Sequence, residues 1–283
     1  MLTHVSTELI ELEEHARPYR ALYDHWERTQ WAVGALDFST DARSFAELPE
    51  EEQRGVVWIF AHRFHAEFSV ARLLAPFLEA APGWELRLLL ATQIADEHRH
   101  LQAVLRIYEE VFGVDGGFEA VREAADRNRD PVAESLYGAL EERITTLKES
   151  PDEDTFLKAV FSYHLLGEGV VARTAQNLAV GQYERLGDFP GLIEGQRLVA
   201  RDEARHIGIG VSYARRRVAE AGERARAAID DCLEQFGQLA AQGLELGKAG
   251  LEDVLATGYG VDAEAFHAEA MRLLQLRLRS IGY

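Results

Sequence analysis

The pentapeptide Asp-Glu-x-Arg-His is written twice in this chain, at Asp96–His100 and again at Asp202–His206. Both copies lie among apolar residues. Leu88, Leu89, Leu90, Ile94, Leu101, Val104 and Leu105 surround the first, and Leu198, Val199, Ile207 and Ile209 the second. Residues three apart share a helix face, so Glu97 projects with His100 and Glu203 with His206. Helices this apolar have little polar surface to spare, and an ionised carboxylate buried without a partner costs several kcal/mol. A cation is the simplest compensation. One isolated Glu-x-x-His is ordinary surface chemistry, but two in the same register and the same apolar setting constrain the fold more tightly.

Each half of the chain offers one more isolated carboxylate on the preceding predicted helix. Glu67 sits in "FHAEFSVARLL" and Glu168 in "FSYHLLGEGVVA". A single Glu in such a stretch is commonly a buried ion pair. Two of them, matched to two Glu-x-x-His motifs, make the ligand set of a carboxylate-bridged dimetal bundle. The charges agree, because Glu67, Glu97, Glu168 and Glu203 balance two divalent ions, with one neutral nitrogen each from His100 and His206. Glu97 and Glu203 are the expected bridges and Glu67 and Glu168 the expected terminal ligands.

Asp96 and Asp202 are candidates for orienting the histidines through their other ring nitrogens. The crossed arrangement is favoured, Asp202 on His100 and Asp96 on His206. The competing reading pairs these aspartates with Arg99 and Arg205. His62, His65, His98 and His164 fall off the ligand spacing and read as core or surface histidines. Oxygen-rich ligation with one imidazole per ion suits iron or manganese over copper or structural zinc, without separating the two.

The rest of the chain reads as helices punctuated by proline and glycine. One long helix is expected from Pro49 to the Pro82-Gly83 break, and a second from Trp84 to Phe112. Shorter ones fill 118–128 and 131–149. Long segments follow from Pro151-Asp152 to about Leu186 and from Pro190 to about Ala221, then 222–247 and 263–281. Without sustained alternation for strands, the expectation is an all-α antiparallel bundle, a single domain over 1–283, with the dimetal site inside a four-helix core.

The 48 acidic and 30 basic residues give a net charge of −18, which repels nucleic acid and anionic lipid surfaces. Cys232 is the only cysteine, so neither an internal disulfide nor a thiolate cluster is available. The N-terminus has no basic start or apolar core of a signal peptide, and no uncharged run is long enough to span a bilayer. A cytoplasmic protein without a transmembrane segment is expected.

On these residues the chain resembles ferritin-like dimetal carboxylate proteins of the ribonucleotide reductase small-subunit type. The likeness runs from about Gln30 to Tyr213 through "QWAVGALDFSTD", "YHLLGEGV" and "RDEARHIG". It implies a Trp31–Asp202–His100 relay to the metals. Two departures argue against a reductase subunit. The position of the usual radical tyrosine is Val104, and the chain ends "LRLRSIGY" without an acidic docking tail.

The nearer resemblance is to the ligand-binding oxidases related to that subunit. It implies a manganese–iron pair, with Mn at Glu67, Glu97 and His100 and Fe at Glu168, Glu203 and His206; an Fe/Fe pair is the alternative. It also implies a bound long-chain fatty acid and an ether cross-link between Tyr163 and Val70. O₂ would be the oxidant, with a reductant of unknown identity, and a homodimer is the expected assembly. Val70 shares a helix face with Glu67, but Tyr163 lies five residues before Glu168, about 140° away on a regular helix. A π-bulge near Gly167 and Gly169 would bring it round. Ala172, four residues after Glu168, is small enough to border a ligand tunnel. The rival readings are a reductase small subunit, an iron-storage protein and a lipid carrier with a structural metal pair.

Overall fold

The structure, a computed structural model, describes residues 7–129, 131–247, 255–256 and 258–283. Among the described residues there is no strand, and the fold is an all-α, ferritin-like bundle. Among the described residues three short α-helices and a 3₁₀ turn (Val33–Ala35) precede the first long helix: α1 (Thr7–Glu14), α2 (Tyr19–Arg28) and α3 (Ser39–Glu47). The proline and glycine punctuation does not single these out.

Helix α4 (Glu50–Leu73) opens after Pro49 with Glu50, Glu51 and Glu52 in its first turn, where negative charge complements the exposed N–H groups. It was expected to run on to Pro82. Instead the chain breaks at Leu74 and resumes as α5 (Ala75–Ala80). Pro76 explains the break, since it has no N–H for the Arg72 carbonyl and its ring clashes with that carbonyl. Helix α6 (Trp84–Glu110) follows Gly83, whose φ of 88° favours glycine.

Helices α7 (Gly117–Asp126) and α8 (Pro131–Glu149) then lead to an unbroken rod. The rod begins as α9 (Glu153–Val160), becomes a π-helix over Phe161–Ala172, and continues as α10 (Arg173–Leu186). Asp152 caps it by accepting from the backbone N–H groups of Asp154 and Thr155, both at 2.9 Å. Among the described residues α11 (Pro190–Ala221), α12 (Glu223–Gly247) and α13 (Ala263–Ile281) follow.

The four-element core is α4, α6, the α9–π–α10 rod and α11. Helices α1 and α13 pack on its outside against α11, and α13 also against the π segment. Arg277 of α13 is fully buried there. It donates to the Gly169 carbonyl at 3.0 Å and pairs with Glu13 at 2.5 Å; Arg173 pairs with the other oxygen of Glu13. The α-helical hydrogen-bond pattern is lost in the π segment, and Arg277 satisfies one of its carbonyls. A Cβ on Gly169 would lie 2.9 Å from Arg277 Nε, so glycine leaves room for that contact.

Buried apolar residues form two clusters. One includes Phe77, Leu89, Leu90, Phe156, Tyr163 and Ile207, and the other Phe60, Phe64, Leu101, Val104 and Tyr108. Residues of both clusters lie on α6, and Glu97 and His100 fall between them along that helix. Among the described residues, no helix is long and apolar enough to cross a membrane.

Candidate metal centre

Glu67, Glu97, Glu168 and Glu203 are each at most 7% exposed, and His100 and His206 at most 1%. They come from α4, α6, the π segment and α11, one core element apiece for the carboxylates. Their ligand atoms form two compact groups. Glu67, Glu97, His100 and Glu203 make one, and Glu97, Glu168, Glu203 and His206 the other.

Glu97 and Glu203 belong to both groups, and each divides its oxygens between the two histidines. His100 Nδ1 lies 3.5 Å from Glu97 Oε2 and 3.6 Å from Glu203 Oε1. His206 Nδ1 lies 3.3 Å from Glu97 Oε1 and 3.4 Å from Glu203 Oε2. Glu67 stands on the His100 side only, at 3.5 Å, and Glu168 on the His206 side only, at 3.7 Å.

Both histidines aim Nδ1 inward, and their Nε2 atoms meet the aspartates in the crossed sense. His100 Nε2 is 3.2 Å from Asp202 Oδ2, and His206 Nε2 is 3.2 Å from Asp96 Oδ2. The competing arginine pairing is present as well. Arg99 pairs with both aspartates, and Arg205 with Asp96 at 2.6 Å. Trp31, half-buried, donates its indole N–H to Asp202 at 2.7 Å.

Tyr163 is turned into the site. In a π-helix the hydrogen bond runs between residues five apart, which brings positions 163 and 168 over one another. The Tyr163 hydroxyl donates to Glu97 Oε1 at 3.1 Å. Val70 is half-buried and packs on the apolar cluster that contains Tyr163. Ala172 is half-buried at the last position of the π segment.

Of the histidines off the ligand spacing, His62 bonds the Trp58 carbonyl, His65 lies 3.6 Å from Asp126, and His98 is exposed on the Ile94 carbonyl. His164 is fully buried and bonds Gln93 Oε1 at 3.0 Å.

Two residues of the site went unread in the sequence. Gln93 is fully buried and donates its amide to Glu168 Oε1 at 2.9 Å, within 3.4 Å of the Tyr163 hydroxyl and of Glu97. Its spacing four before Glu97 places it on the ligand face, which was the available signal. Trp26 donates its indole N–H to Asp96 at 2.9 Å, and no spacing rule links positions so far apart.

The protons of the site follow from crowding of like charges in a dry place. Burial raises Glu67 to about 7, against the pull of His100. Burial, then the charge of Glu203, holds Glu168 well above the carboxylate range. Glu97 is opposed by burial, but hydrogen bonding and charge from His100 and His206 outweigh it and keep it at about 2. Burial disfavours both histidinium ions, yet the carboxylates prevail. His100 is raised well above its ordinary value by Glu67 and Asp202, and His206 to about 10 by Asp96 and Glu203.

Metal ions fit this donor set. His100 Nδ1 and Glu168 Oε2 are buried without a hydrogen-bond partner, and four carboxylates converge where the nearest arginine, Arg63, reaches only Glu67, at 3.5 Å. Oxygen donors with one imidazole per group match iron or manganese.

No family model matches the chain. Solved structures resemble it over nearly its whole length. An R2-like ligand-binding oxidase carrying a valine-to-isoleucine change, with an anaerobically reconstituted Mn/Fe cofactor, is 22% identical, with a TM-score of 0.80 over 93% of each chain. A tyrosine-to-phenylalanine variant with an aerobically reconstituted Mn/Fe cofactor is 21% identical, at the same TM-score and coverage. The R2-like ligand-binding oxidase from Sulfolobus acidocaldarius is 23% identical, with a TM-score of 0.76 over 93% of this chain and 89% of that one. The chain therefore shares the fold of R2-like ligand-binding oxidases.

Proposed function

We propose that the chain is an R2-like ligand-binding oxidase, an enzyme whose Mn/Fe carboxylate centre activates O₂ for a two-electron oxidation. The observation that carries this reading is the division of Glu97 and Glu203 between two histidine-containing groups, which is the arrangement two bridging carboxylates need. Glu67, Glu97 and His100 would hold manganese, and Glu168, Glu203 and His206 iron, with Glu97 and Glu203 shared. A reduced metal pair, when bound, supplies electrons to O₂.

The protein's own groups do the rest. Asp202 and Asp96 hold His100 and His206 with Nδ1 inward. The flanking apolar clusters exclude water from the site. Gln93 orients Glu168 and places its amide beside the Tyr163 hydroxyl. Tyr163 would offer its oxygen to Val70, which packs on the same apolar cluster and whose Cβ–H is tertiary. Joining that oxygen to Cβ removes one hydrogen from each residue, two in all, with two electrons passing to O₂. A long-chain fatty acid is the proposed ligand, bordered by Ala172. The protein would work as a cytoplasmic homodimer with an external reductant.

The test is reconstitution of metal-free protein with Mn(II), Fe(II) and air, followed by peptide mass spectrometry. The expected product is a Val70 peptide joined to a Tyr163 peptide, two hydrogens lighter than their sum. Bound metal with O₂ left unconsumed and the peptides separate would overturn the oxidase reading in favour of a lipid carrier.

A further inference from the structure

We propose that Trp26, Asp96 and His206 form a second path for electrons into the centre, parallel to Trp31, Asp202 and His100 and addressed to the other metal ion. The inference rests on the oxidase reading above. Its basis is a pair of matching hydrogen-bond chains. On one side the Trp31 indole reaches Asp202 at 2.7 Å, and Asp202 reaches His100 Nε2 at 3.2 Å. On the other the Trp26 indole reaches Asp96 Oδ1 at 2.9 Å, and Asp96 Oδ2 reaches His206 Nε2 at 3.2 Å. Each histidine turns its other nitrogen to a different ligand group.

The two indoles come from one stretch of chain. Trp26 is near the end of α2 and Trp31 lies just beyond it, so this segment delivers an indole to each of the two outer aspartates. Both are half-buried, and each directs its N–H at its aspartate. Arg99 touches both aspartates and lies over the Trp31 ring at 5.1 Å, tying the two chains together. The other two tryptophans are placed differently. Trp58 packs on His62 and Tyr259, and Trp84 is 71% exposed.

The chemistry calls for such a supply. Reducing O₂ to water takes four electrons, and a two-electron oxidation of a bound molecule provides two. The other two must arrive singly from a one-electron donor such as a reduced iron–sulfur or flavin protein. In each passage the Trp26 indole gives one electron through Asp96 and His206 to the ion held there, and recovers one from the donor. The indole proton stays shared with Asp96, so only the electron moves through. Two paths let each ion receive one electron.

The first arm uses Tyr163→Phe, in which no cross-link can supply electrons. Loaded with Mn(II) and Fe(II) and given O₂ without ligand or external reductant, its two ions supply two of the four electrons and the paths are drained for the other two. Peptide mass spectrometry then maps oxygen adducts on all four tryptophans. Adducts are expected on Trp26 and Trp31, at several times the level on the far more exposed Trp84, and absent from metal-free protein treated alike. In a second arm, Trp26→Phe should keep full metal content and lose one of two tryptophan radical signals in freeze-quenched samples. Trp26 left unmodified while O₂ is consumed, or adducts that simply follow exposure, would overturn the second path and leave the oxidase reading standing. Failure to consume O₂ with both ions bound would overturn both.

Discussion

Loading the metal-free protein with two divalent ions should expel protons, and their number can be worked from the site. At pH 7 both histidines are protonated, since His206 titrates at about 10 and His100 well above its ordinary value. Glu67, at about 7, is half protonated, and Glu168 is raised well above 4.5. Glu97, at about 2, has no proton to give. Every ligand must lose its proton to bind metal, so filling the site should release roughly three protons. The exchange keeps the buried site close to neutral, four metal charges arriving as protons leave. The assay is anaerobic titration with Mn(II) in weakly buffered solution, following pH directly, with calorimetry in two buffers of different ionisation heat as a check. Near pH 7, overall affinity for the pair should rise roughly a thousandfold per pH unit, the slope that three released protons impose. At pH 8 Glu67 has already discharged, and the release should fall by about half a proton. Release of less than one proton per filled site, or a release unchanged in His206→Ala, would refute the reasoning.

Three further outcomes are expected. In metal-free protein the raised His206 pKa adds stability that is complete below 6.5 and lost as pH rises through about 10, so the melting temperature should fall across that interval while the rise caused by added Mn(II) grows. Arg277→Met leaves the Gly169 carbonyl and one oxygen of Glu13 without their guanidinium, and should cost about 3–5 kcal/mol in chemical denaturation. Gly210→Ala would put a Cβ 2.5 Å from that of His164 where α11 meets the π segment; it should destabilise by about 1–3 kcal/mol in the same assay.

Much of this molecule can be read from local rules. Helix periodicity and proline punctuation outline the long helices, and 263–281 and Pro190–Ala221 are observed with the expected ends. The exception is the segment through Pro76, where apolar spacing continues across a residue that cannot continue the helix. The six candidate ligand positions stood out for a different reason. A buried carboxylate in an apolar helix must be compensated, and repetition of the motif shows that the compensation is shared between two halves.

The parts that spacing could not supply depend on how helices meet. Tyr163 faces away from Glu168 on any regular helix, and only the π segment, with Arg277 on its Gly169 carbonyl, turns it to Glu97. Trp26 carries no motif and Gln93 shows only its place on the ligand face, yet packing sets the indole against Asp96 and the amide between Glu168 and His164. The crossed pairing of Asp96 and Asp202 joins α6 to α11, and no periodicity within one helix specifies a partner on another. The sequence alone determined which charges had to be buried, because burial and charge are properties of a residue and its neighbours along a helix. Tertiary structure decided which atoms those charges meet, because hydrogen bonds and ligand groups close only when separate helices are brought within a few ångströms.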